Sequence, residues 1–136
     1  MSSGAEPRRL GVFSFAPKHE NISAVLEDRD LASLGDAFVN FLYSLALSKK
    51  CGRPVGRKVD SSVLASALRK ADLRKFLPSR TDRHRQADAA ESIILYGWMS
   101  GAVDLEEAIN IIESGDSEVD AFAILLRLSA KNLNER

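Results

Sequence analysis

Three features of the sequence predict an all-α fold. Apolar residues recur at helical spacing, no run of alternating β-branched residues is long enough for a strand, and Gly, Pro and capping residues cut the chain into helix-length pieces. With 136 residues, 45% of them hydrophobic, the chain is the size of one domain with its own core. Residues 1–136 are therefore expected to form a single helical domain, with about residues 1–9 loose.

A short helix is expected over 20–28. Leu31, Leu34, Phe38, Phe41, Leu42 and Leu45 form the stripe of a longer helix from about Asp30 to Lys50, which Gly52 and Pro54 end. A second helix starts at Asp60 or Ser61 as N-cap and carries Val63, Leu64, Ala67 and Leu68; Phe76 and Leu77 pack after it and Pro78 stops it. The most apolar stretch, about Thr81 to Met99, reads as a central buried helix closed by Gly101. Asp104-Leu-Glu-Glu107 is a capping-box start for the next helix. Gly115 then separates it from a last helix over about Ser117 to Lys131. Tyr96, Trp98 and Met99 belong to the core or to a dimer interface.

Composition excludes several classes. The single Cys51 permits no internal disulfide and no cysteine-rich zinc site, which favours a reducing, cytoplasmic setting. The opening MSSGAEPRRLGVFSF lacks the apolar run of a signal peptide, and apolar segments elsewhere are broken well short of about 18 residues, so no membrane span is expected. Neither His19 nor His84 is near Cys51 in sequence, so that thiol reads as incidental.

Net charge is zero, from 19 basic and 19 acidic residues, but the charges are divided along the chain. Residues 49–85 hold 12 Lys/Arg and 3 Asp, a net of +9. Residues 86–136 carry 3 basic and 10 acidic residues, a net of −7. A polyanion would bind the middle and be repelled by the flanks unless a cation intervened. Phe76 is the only aromatic residue in 49–85, which disfavours base stacking and favours phosphate contact with a duplex. The cations in loops or at helix ends, Lys49, Lys50, Arg53, Arg57, Lys58, Arg80, Arg83 and Arg85, are the expected contacts to a nucleic-acid phosphate backbone. Arg69, Lys70, Arg74 and Lys75 are weaker candidates, because cations on that helix also serve only to solubilise it.

Two places break helix rules. Gly35-Asp36 lies inside the first long helix, where the Gly alone costs ~1 kcal/mol relative to Ala; close helix packing at Gly35, with Asp36 solvated, is the simplest explanation. Asp88 and Glu91 lie one turn apart on one face of the most apolar helix, among Ala87, Ala89, Ala90, Ile93 and Ile94, where like charges need a compensating cation or partner.

These residues resemble the two signatures of the ribonuclease III family. Leu31-Ala-Ser-Leu-Gly-Asp-Ala37 is similar to its Leu-Gly-Asp-Ala helix, and Ala87-Asp-Ala-Ala-Glu-Ser92 to its Ala-Asp-x-x-Glu-Ala helix. The likeness covers roughly residues 28–100 and is strongest to the short Mini-ribonuclease III type, which has no double-stranded-RNA-binding domain; His84-Arg85 resembles that type's basic approach to its acidic helix. The resemblance implies a Mg²⁺- or Mn²⁺-dependent endoribonuclease acting as a homodimer on double-stranded or structured RNA. It implies Asp36, Asp88 and Glu91 as metal ligands, with Asp36 and Glu91 catalytic. Hard carboxylate oxygens suit such ions. Many members carry a Glu four residues before the first-signature Asp; here that position is Ala32, which the Mini type also tends to lack as a carboxylate. Two other readings stay open: a catalytically inactive RNA-binding or ribosome-associated protein of the same fold, and a helical protein-interaction module using the acidic stretch Glu106 to Asp120.

Overall fold

The computed structural model describes residues 13–135. The expected loose segment at 1–9 lies outside them. The described chain contains six α-helices, one 3₁₀ turn and no named strand. The helices are α1 (Ile22–Leu26), α2 (Arg29–Cys51), α3 (Ser61–Lys70), α4 (Arg83–Met99), α5 (Leu105–Ser114) and α6 (Glu118–Ser129); the 3₁₀ turn is Arg74–Phe76.

The starts and stops follow the local chemistry. Asn21, Asp28, Asp60, Asp82, Asp104 and Ser117 each N-cap a helix with a side-chain oxygen. Asp104 and Glu107 form the reciprocal capping box. Gly52 ends α2 in the left-handed conformation, with φ 75°. The expected boundaries move by two residues or fewer, except that α1 is shorter than 20–28 and that α3 ends at Lys70, well before the expected stop at Pro78, because the chain turns at Asp72 in the left-handed conformation (φ 64°).

The core is built around α4, which packs against α1, α2, α3 and α6. Its Ala89, Ala90, Ile93, Ile94 and Leu95 are fully buried, as a helix apolar on every side requires. Leu42 from α2, Leu64 and Leu68 from α3, and Phe122, Leu125 and Leu126 from α6 complete the interior. After α6 the chain returns to its start: the Ile22 amide donates to the Asn134 carbonyl at 2.9 Å and the Asn134 amide to the Glu20 carbonyl at 2.9 Å.

The stripe expected on α2 is only partly the core face. The buried residues are Leu31, Gly35, Val39, Leu42 and Ala46, whereas Leu34 is 45% and Phe41 58% exposed. Two apolar faces overlap on this helix, and the narrower residues take the inner one because they allow α2 to lie close against α4. The bulky set lines an apolar groove of about 320 Å³ with Phe13, Phe15 and Trp98, where Phe38 stacks on Trp98 at 4.6 Å between ring centroids. By length and mean hydropathy, 1.3 over its most apolar window, α2 could cross a bilayer, contrary to the expectation that no segment approaches that length. Here it runs along α4 and α5, and Asp36 interrupts its apolar surface.

Candidate active site

The α2–α4 crossing is tight at Gly35. A Cβ at that position would lie 2.5 Å from the carbonyl oxygen of Glu91 and 2.8 Å from its carbonyl carbon. No side chain fits there, so the glycine inside a helix is explained by close approach. Close packing and the meeting of the acidic residues are one feature. The contact that demands glycine places the next residue, Asp36, within hydrogen-bonding reach of Glu91, with Asp88 one turn earlier on α4.

The three carboxylates strain one another electrostatically. Glu91 is 6% exposed. Burial, then the charges of Asp36 and Asp88 and a hydrogen bond with Asp36, push its carboxyl up to about 8, while Lys58 opposes the shift. Asp88 is also raised, by loss of water and by Asp36, against the pull of Arg29, Arg85 and His84. Hard oxygen donors with such mutual repulsion have the chemistry of a divalent-cation site. Among the described residues, however, no three acidic, His or Cys side chains stand grouped as metal ligands. The site has the donors and the charge imbalance without a closed cage.

A cavity of about 320 Å³ opens beside these acids, lined in part by Arg29, Ala32, Ser33, Asp36, Arg85 and Asp88. Ala32 lies one turn before Asp36 and lines the cavity, so the position where the resemblance implies a carboxylate in many members presents a methyl group. Asp28, one turn earlier still, is committed elsewhere. Its Oδ1 accepts the Leu31 amide at 2.9 Å and its Oδ2 lies 2.8 Å from Nε2 of His19. Burial alone would raise the Asp28 carboxyl, but His19 and the Leu31 and Asp30 amides hold it below its ordinary value. His19, for which the sequence offered no partner, thus braces the start of α2; its amide also donates to the Tyr96 hydroxyl at 2.8 Å.

The expected RNA contacts divide. Lys50, Arg53, Arg57, Lys58, Arg80 and Arg83 are exposed, and Arg85 is half-buried at the cavity. Lys49 is occupied, pairing with Glu113 at 3.1 Å and donating to Asn110 at 3.0 Å. Arg69 bonds Gln86 and Ser66, Arg74 bonds the Ser79 carbonyl, Lys70 pairs with Asp120, and Lys75 pairs with Asp72. Arg29 was missed. It precedes Asp36 by two helical turns on the same face, a spacing that could have revealed it. Asn40 was missed as well: its Nδ2 donates to Asp36 Oδ1 at 3.0 Å and to the Asp36 carbonyl at 2.8 Å.

A comparison with individual curated proteins found no match. A family model described as ribonuclease III matches residues 29–131, from the first residue of α2 to just beyond α6. That span includes both acidic motifs and the Gly35 crossing between them, in an all-helical fold. On this match the chain belongs to the ribonuclease III family.

Proposed function

We propose that this protein is a divalent-metal-dependent endoribonuclease that hydrolyses phosphodiester bonds in double-stranded or structured RNA, working as a homodimer in the cytoplasm. The observation that carries the reading is the Gly35–Glu91 contact, which sacrifices helix propensity to set Asp36 against Glu91 and Asp88. In this reading Asp36, Asp88 and Glu91 hold Mg²⁺ or Mn²⁺. When bound, the ion would supply Lewis acidity for attack of water on phosphorus. The residues' own part is to keep three carboxyl groups close together, and the upward push on Glu91 follows from the negative charge gathered there. Lys50, Arg53, Arg57, Lys58, Arg80, Arg83 and Arg85 would neutralise backbone phosphates.

The homodimer is supported by the exposed Leu34 and Phe41 beside the half-buried Phe38 and Trp98, an apolar face a lone domain leaves to water. A two-fold pair would supply one site per strand of a duplex. The decisive experiment incubates purified protein with long double-stranded RNA and Mg²⁺ or Mn²⁺ against chelator, beside Glu91→Gln. Metal-dependent cleavage lost in the variant supports the reading.

Ala32 favours a second reading, a catalytically inactive RNA-binding or ribosome-associated protein. It predicts salt-sensitive duplex binding without cleavage under any metal.

A further inference from the structure

We infer that Asn40, Ser44 and Ser48 form a ladder that ties the basic loop to Asp36, so that RNA held by the loop and the catalytic carboxylate are positioned as one unit. The inference rests on the nuclease reading above and adds positioning residues to it.

The ladder is explicit in the hydrogen bonds. Ser48 Oγ donates to the Val55 carbonyl at 3.1 Å and accepts the Val55 amide at 2.9 Å. Ser44 Oγ does the same for Arg57, at 3.0 and 2.9 Å. Asn40 Oδ1 then accepts the Val59 amide at 2.8 Å while its Nδ2 donates to Asp36. Alternate loop residues 55, 57 and 59 therefore meet every fourth helix residue, 48, 44 and 40, in antiparallel order.

The geometry fits because the two repeats nearly coincide. Four helical residues rise about 6 Å, and two extended residues span about 6.6 Å. Holding that match obliges the loop to stay extended along α2. In extended chain the amides of successive residues point to opposite sides, so residues 55, 57 and 59 face α2 and residues 56 and 58 face away. Gly56 and Lys58 make no backbone hydrogen bond among the described residues, and a Cβ on Gly56 would meet nothing within 4 Å. The outer edge is open. Arg53, Arg57 and Lys58 add positive charge along it, as an RNA phosphate backbone requires.

Asn40 is where this loop meets the chemistry. One amide side chain bonds the loop backbone at Val59 and the carboxylate of Asp36, fixing the latter's rotamer in the absence of the second carboxylate that Ala32 lacks. Lys58, next to Val59, acts electrostatically on Glu91. Displacing the loop would thus disturb two of the three acids.

The test compares Asn40→Ala with a Ser44→Ala/Ser48→Ala double variant. Duplex RNA binding is measured in chelator, and cleavage is measured across a Mn²⁺ titration. Asn40→Ala should lower kcat about tenfold or more and raise the half-saturating Mn²⁺ concentration. The serine variant should weaken metal-free duplex binding several-fold and raise KM more than it lowers kcat. Asn40→Ala with wild-type kcat and Mn²⁺ dependence would overturn the positioning role. Unchanged duplex binding by the serine variant would overturn the ladder. If the wild-type protein binds duplex RNA but never cleaves it, the nuclease reading and the positioning of a catalytic carboxylate fall together; the binding comparison still decides the ladder.

Discussion

Replacing Gly35 by Ala gives the sharpest test of the site's architecture, because two known effects oppose each other. In a helix interior the change alone favours folding by ~1 kcal/mol. Against it stands the new methyl, 2.5 Å from the Glu91 carbonyl oxygen, where ordinary contact begins near 3.4 Å. The obstructing atom is backbone in a buried helix and cannot swing aside, so α2 and α4 must part by roughly 1 Å or rotate. Overpacking of this kind costs typically 1–3 kcal/mol and occasionally more. A contact of 2.5 Å against immobile backbone belongs at the upper end of that range, so after the ~1 kcal/mol gain the clash should win by about 1–2 kcal/mol, a fall in Tm of roughly 3–7 °C for a domain of this size. Cleavage should suffer more than stability, because Asp36 moves with the helix and a 1 Å misplacement can cost about a hundredfold. Urea and thermal unfolding measure the first effect, and single-turnover cleavage the second. Gly56→Ala, in open space, is the control and should be neutral or slightly stabilising. A Gly35→Ala protein as stable as wild type would refute the claim that the crossing needs glycine.

Three further outcomes follow from the geometry. In metal-free wild type the folded Glu91 carboxyl titrates at about 8 against an ordinary 4.5, so between those values the folded chain holds a proton that the unfolded chain has released. Stability must then fall as pH rises through that window, by a few kcal/mol with about 5 as the ceiling. Glu91→Gln should remove that slope and abolish cleavage; a flat Tm from pH 5 to 8 in chelator would show that the carboxyl is not so raised. Phe41→Glu should convert a dimer into a species near 14.9 kDa in sedimentation, and a wild-type protein already at that mass would end the dimer proposal. Replacing Arg53, Arg57 and Lys58 together by Ala should weaken binding to all duplexes alike and flatten its salt dependence by about one unit per lost contact; unchanged affinity and slope would make the loop a solvated surface.

Much of this molecule is written in local chemistry. Caps at Asp60, Asp104 and Ser117, the stop at Gly52, and the all-apolar run of α4 depend on residues a few positions apart, so spacing alone reveals them. Gly35-Asp36 and the acids Asp88 and Glu91 also stood out, because a glycine in a helix and two acids in an apolar one each break a local rule; that the two places belong together came only from their resemblance to the family's two signatures. What sequence could not decide was which of two overlapping apolar faces of α2 turns inward. That choice belongs to the packing: α4 approaches closely enough to require Gly35 at the contact, and Val39 and Ala46 are buried on the same helix, which leaves Leu34 and Phe41 exposed. Nor could sequence join His19 to Asp28 and Tyr96, occupy Lys49 with Glu113, or hang the basic loop on Asn40, Ser44 and Ser48. Such hydrogen bonds and ion pairs depend on distances between segments remote in the chain or differently folded, and only the packed helices set those distances.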